Sequence, residues 1–185
     1  MVDFLTNSRK LFQNYKKLGE EAIAQASDNM LFHEPVPGIN SISIIIRHLH
    51  GNMKSRWTDF LTTDGEKPWR NRDEEFVEFI TDRDMVLLIW EEGWNFLFAA
   101  LDNLKPSDLD RVVIIRNEEL SVMEAIQRQI AHYAYHVGQI IYIAKMEQGN
   151  NWTSLSIPRN ASDAYNAARF SHENKGKPFT DEFLK

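Results

Sequence analysis

Apolar residues recur at spacings of three and four along four long stretches of this chain, and in a β-branched run along one short stretch. The best marked is SVMEAIQRQIAHYAYHVGQIIYIAK at 121–145, where Ile126, Ile130, Tyr133, Val137, Ile140, Ile141 and Ala144 form the broad apolar stripe of a packed helix. Ser121 with Glu124 three residues on makes a capping box, each side chain satisfying a backbone donor left open at a helix start. Lys145 suits the negative end of the helix dipole.

The same spacing predicts three more helices. One covers about 3–26, with Phe4, Leu11, Phe12, Tyr15, Leu18, Ala22 and Ile23 inward. A second covers about 41–61, capped by Asn40 or Ser41. A third covers about 81–104, started at Thr81 or Asp82, with Met85, Leu88, Ile89, Trp90, Trp94, Leu97, Phe98 and Leu101 read as core. Between them HEPVPGIN at 33–40 is a connection, because Pro35 and Pro37 lack amide donors and disfavour helix before them. The charged stretch 62–80 reads as an ordered loop. Its Arg70, Arg72 and Asp73 either fasten it by ion pairs, the favoured reading, or line a substrate entrance. The β-branched run 111–115 and a second short one around Leu120, parted by Asn117 and Glu118, predict a small hairpin. Gly149 ends the last long helix. The expected architecture is therefore all-α, a four-helix bundle over 1–150 with a small β-hairpin before its last helix. A C-terminal extension over 151–185 follows, covering the bundle with SLSIPRNASDAYNAARF, ending in a short helix and trailing into a loosely held polar tail.

Composition narrows the chemistry. A net charge of -6 with no basic run argues against nonspecific binding of nucleic acid or an anionic membrane. The N-terminal residues lack a signal-peptide core, and the longest aliphatic run, Ile44 to Ile46, is too short to span a bilayer, so a cytoplasmic location is expected. With Cys 0, thiolate nucleophiles, disulfides and cysteine ligands are all excluded, and a metal site must use His, carboxylates and water.

His132 and His136, four apart, project from one side of the 121–145 helix and can converge on one ion. Gln129 and Gln139 extend that stripe as candidate hydrogen-bond partners, and Gly138 would admit a neighbouring helix. Histidines at this spacing also occur on helix surfaces and in hydrogen-bonded cores, so a third ligand decides the matter. The second helix offers two. His48 shares a face with Ile44, Ile45 and Asn52; His50, rotated by roughly 200°, joins Ile46, Met53 and Trp57, and periodicity does not choose between them. His33, in the polar connection, and His172, in the tail, read as solvated.

A histidine late in the second helix, followed much later by a His-x-x-x-His helix ending in HVGQIIYIAK, resembles the DinB/YfiT-like family of metal-dependent proteins over roughly the first 150 residues. SISIIIRHLHGNMKSRWTDFLTTDGEKPWRNRDEEF and SLSIPR resemble a bacterial subfamily of that group, most of whose members have no known function. The resemblance implies a four-helix bundle holding a divalent metal on three histidines, which fall on His48, His132 and His136; His50 occupies no family ligand position. Relatives include thiol S-transferases, thiol-dependent isomerases and hydrolases.

Three neutral imidazoles would hold Zn, Ni, Fe or Mn and leave positions open, as in a catalytic rather than a structural site. Such an ion lowers the pKa of water to about 7 or stabilises a cofactor thiolate. The chain lacks the Glu of a His-Glu-x-x-His zincin, a Glu-x-x-His di-iron pair and a Gly-rich phosphate loop, and no general base announces itself. Asn52 and Tyr135 are further polar groups near the expected ligands, without an assigned role. The expectation is a metal-dependent enzyme acting on a small-molecule substrate, most concretely a thiol S-transferase using a low-molecular-weight thiol on small electrophiles. A metal-dependent hydrolase and a non-catalytic binding or scaffold bundle are the alternatives, and apolar bundle faces make a homodimer expected.

Overall fold

Capping side chains start each long helix where the sequence places them. In the computed structural model, which describes residues 3–171, Asp3 accepts from the Thr6 amide and opens α1 (Phe4–Gln25). A five-residue helix, α2 (Asp28–Phe32), follows behind Ser27; DNMLF is too short to show a helical period, and the sequence reading passed over it. Ser41 opens α3 (Ile42–Trp57) and Asp82 opens α4 (Arg83–Asp102). A hairpin of β1 (Val112–Ile115) and β2 (Glu118–Ser121) leads into α5 (Val122–Gln148), whose Ser121 and Glu124 form the expected reciprocal box. A last helix, α6 (Ser162–Phe170), closes the described chain.

One long helix ends earlier than expected for a local reason, and another ends at the expected glycine. α3 stops at Trp57 rather than 61, because Thr58 is extended and Asp59 adopts φ 48, where its carbonyl accepts from Thr62 and Thr63. α5 continues to Gln148, and Gly149 at φ 55 ends it.

α3 packs chiefly on α4, and α1 on α5, so the four long helices form a helical bundle around one core. At its centre Trp94 is 0% exposed, with ring centroids 6.4 Å from Phe12, 5.8 Å from Tyr133 and 5.5 Å from Trp90. Trp57 donates from Nε1 to the Tyr133 hydroxyl at 3.0 Å, and that hydroxyl donates to Asn52 Oδ1 at 3.1 Å. These bonds satisfy the Trp57 indole and the Tyr133 hydroxyl, whereas the buried Nε1 groups of Trp90 and Trp94 have no hydrogen-bond partner among the described residues. The inner line of α4 is Val86, Trp90, Trp94, Leu97 and Leu101. Met85 and Leu88, expected in the core, are 38% and 61% exposed. The near-continuous apolar run at 85–90 covers more than one face of a helix, and the large indoles set which face turns inward.

Loop 62–80 is ordered and contains a 3₁₀ turn at Asp73–Phe76 that lies against α3. It is also pinned to the hairpin. Arg116 and Asn117, at φ 55 and 61, are the two left-handed residues of a tight turn, and their amides donate to the Asp64 carboxylate at 2.8 and 2.9 Å. The Gly65 amide donates to Ile114 O at 2.7 Å. Val113 and Ile115 face the core while Val112 and Ile114 face out, the period of two for a strand with one buried face.

After α5 the chain turns back over the bundle, where Trp152 and Leu155 pack on the core and Thr153 exchanges hydrogen bonds with the Gln25 side chain. α6 is largely exposed and buries none of its residues, so the cover expected of this extension comes from the segment before it. His172 and the polar tail lie outside the described residues. No helix among the described residues is long and apolar enough to cross a membrane.

Truncating the central indole removes these ring contacts and opens a cavity. Trp94→Ala should lower unfolding free energy by about 3–5 kcal/mol, read from urea denaturation.

Candidate metal centre

The rotational phase of α5 follows from its core face. With Tyr133, Val137 and Ile140 turned inward, residues 132 and 136 stand beside that face and look toward α3, where Ile45, Ile46 and Leu49 are buried and His48 stands on the flank nearest α5. The rings of His48, His132 and His136 lie 5.5, 4.9 and 4.8 Å apart by centroid, and one nitrogen from each falls within 4.8 Å of the other two. The structure thus separates the two candidates on α3. His50 points toward α4, where its Nε2 pairs with Glu92 at 3.1 Å. His33 is exposed and bonds to the Asn29 carbonyl.

Hydrogen bonds orient two of the three rings. The His48 Nδ1 proton is donated to Glu75 Oε2 at 2.9 Å, so Nε2 is the nitrogen that the carboxylate does not engage. His136 donates from Nδ1 to Gln139 Oε1 at 2.8 Å, and its buried Nε2 has no hydrogen-bond partner among the described residues. A buried, unpaired imidazole lone pair is costly unless something accepts it. Two of the three histidines therefore carry the outer hydrogen bond that orients metal-ligating imidazoles. Gln139 fills the role foreseen for it. Gln129 is buried, yet its Oε1 reaches no partner, and Gly138 faces open space rather than a neighbouring helix, because it lies on the solvent side of α5.

Burial is the main force that keeps His132 and His136 neutral. Burial, then the His136, His48, Arg56 and Arg70 charges, pushes His132 down to about 3. Burial, then His48, pushes His136 down to about 4 against the bond to Gln139. Burial alone would raise Glu75, but its bonds from His48 and from Arg70 overcome that and hold the carboxyl below its usual range. Two neutral imidazoles beside a third that has a carboxylate behind it suit a divalent cation. Ligand nitrogens about 2.1 Å from a common ion lie no more than about 4.2 Å apart, so modest ring rotations close this set around one.

Glu75 was not distinguished from its neighbours in the sequence, since nothing in DEEF marks one acid over another. It is held on two sides. Arg70 donates to it from Nε at 2.7 Å and from Nη2 at 2.9 Å, His48 takes the inner side, and Phe76 from the same turn stacks on His48 at 4.9 Å. Gly51 provides the space, because a Cβ there would lie 2.3 Å from Glu75 Oε1. The expected fastening role of Arg70 is thus correct, and Arg70 and Arg72 also line the cleft above the histidines. Asp73 is exposed. Asn52 and His132 line that cleft too, as does Tyr135, whose ring lies 4.1 Å from that of His136.

Glu75→Gln should weaken metal binding by about 10–100-fold, as loss of a carboxylate behind a ligating histidine does. Gly51→Ala should act in the same direction by displacing Glu75; both are read by competition with a chromophoric chelator. In chelator-treated protein the depressed histidines set a pH dependence. The unfolded chain protonates these rings below about 6.5 and the folded chain does not, so it binds more protons below that pH. Stability should hold above about pH 6.5 and fall toward pH 4, with a shallower fall in His132→Gln, read from melting temperatures across that range.

Comparison with protein families finds one match, to the family described as Protein of unknown function (DUF1572), over residues 1–161. No curated protein matches the chain. The matched region takes in all four long helices, the hairpin, the loop that carries Glu75 and all three histidines, and on that extent the chain belongs to this family.

Proposed function

We propose that this protein is a metal-dependent enzyme of the DinB-like kind that its sequence resembles, with a divalent ion held by His48, His132 and His136. The observation that carries the reading is the convergence of three imidazoles at an open cleft, two of them oriented by Glu75 and Gln139 and one, His136, with a buried Nε2 that has no partner among the described residues. An ion bound there supplies a Lewis acid able to polarise a small substrate or to stabilise a bound thiolate.

The residues around the ligands have their own work in this scheme. Glu75 and Gln139 engage Nδ1 of His48 and of His136 and so orient both rings with Nε2 as the nitrogen left to an ion. Phe76 and Tyr135 flank the rings and limit water on two sides. Transfer of a low-molecular-weight thiol to a small electrophile is the reaction we favour, with hydrolysis as the neighbouring reaction. A non-catalytic scaffold would be better served by imidazoles pointing apart or by a cleft filled with aromatic rings. The cleft instead has a volume of about 380 Å³ and is lined mainly by polar side chains.

Elemental analysis of protein purified without a histidine tag tests this directly. Near-stoichiometric divalent metal is expected, lost when His48, His132 and His136 are all alanine, and thiol consumption with an electrophile should fall to background in the same variant. Protein that stays metal-free after reconstitution would leave the scaffold reading.

A further inference from the structure

The cleft above the three histidines has a charge opposite to that of the chain. The chain carries a net charge of -6, yet five of the eleven residues lining the cleft are arginines, and none is acidic. They come from four separate parts of the fold: Arg56 from α3, Arg70 and Arg72 from the loop before the 3₁₀ turn, Arg116 from the hairpin turn and Arg128 from α5.

Their carboxylate partners are too few. Glu66 Oε2 alone accepts from Arg56 at 3.0 Å, from Arg70 at 3.1 Å and from Arg116 at 3.1 Å. Glu75 is shared between Arg70 and His48, and Glu118 pairs with Arg128 at 3.0 Å. Arg72 has no carboxylate partner among the described residues and lies over the Phe76 ring at 4.9 Å. Five guanidinium groups thus face three carboxylates. Each guanidinium has five N–H donors in a fixed fork, so several remain directed at the cleft. Like charges held this close repel one another, and a ligand of opposite charge relieves that repulsion. The Gln129 side chain, 3% exposed on the wall of the cleft, has an Oε1 with no partner, an acceptor that only a donor group elsewhere on a ligand would satisfy.

We propose that the cleft binds a small anion, bearing a carboxylate or a phosphate group, through Arg72, Arg128 and Arg116 at its rim, so that the substrate or cofactor of the centre is itself anionic. Its placement beside the ligating histidines rests on the metal reading above; the arginine ring does not. The planar guanidinium fork donates two parallel N–H bonds, and a carboxylate and a phosphate each offer a pair of oxygens to accept them. Net charge alone would disfavour such a ligand at long range, so the local field of the five arginines has to select it.

Calorimetric titration of the metal-replete full chain with inorganic phosphate, and separately with succinate, tests the inference and separates the two groups. Binding of either is expected, and which titrant binds more tightly assigns the class. In Arg72→Gln/Arg128→Gln, which leaves the Glu66 and Glu75 contacts intact, affinity should fall by roughly tenfold or more at unchanged metal content. Arg111→Gln, an arginine outside the cleft, should bind as wild type. Absence of binding by either titrant at millimolar concentration, or equal affinity in the double variant, overturns the proposal. Metal content measured on the same samples keeps the two readings apart. Metal-replete protein that ignores both anions removes this inference alone, whereas metal-free protein that binds them through Arg72 and Arg128 retains it and removes the metal.

Discussion

The Glu75 carboxylate, only 6% exposed, receives a two-pronged contact from Arg70 on one side and the Nδ1 proton of His48 on the other. A buried carboxylate is costly without partners, and with one guanidinium and one imidazole it becomes a rigid anchor. Much of the site depends on that anchor. Through Arg70 it fixes the loop; through His48 it orients one imidazole of the cluster on α3; and Arg70 continues to Glu66, where Arg56 and Arg116 join α3 and the hairpin turn to the same cluster. The helices supply positions, and this polar cluster supplies orientation.

Beneath it the aromatic core has a matching role. Tyr133 lies between His132 and the Trp94 cluster, and its inward position prevents α5 from rotating about its axis. A rotation of one residue, about 100°, would carry both histidines of α5 away from His48. The hydrogen bonds from Trp57 to Tyr133 and from Tyr133 to Asn52 tie that phase to α3. The distance between the histidines on two helices is therefore set by core packing as much as by the site itself.

Periodicity and capping showed the four long helices, the hairpin and the convergent pair on α5, because each is a local property of consecutive residues. The choice between His48 and His50 was not local. Both stand on partly apolar faces of α3, and only the packing of α4 against one side assigns His50 to Glu92 and leaves His48 for α5. Glu75, Glu66 and the arginines from four places in the chain were not legible either. They lie far apart in sequence and meet only when loop, hairpin and helices are assembled. Met85 and Leu88 failed for the converse reason: an unbroken apolar run has no phase, and the indoles of Trp90 and Trp94 supplied it.

Gly51 sits one turn from His48, opposite the carboxylate, and its missing side chain is what lets the loop approach the helix so closely. Position 51 and position 75 therefore form a steric pair, a notch and the group that fills it. In related chains the two should change together: a side chain at the first should accompany a shorter residue at the second, and with it a histidine on α3 that has lost its orienting partner. Loss of the notch would thus mark, from sequence alone, members of the family whose centre has been given up or rebuilt.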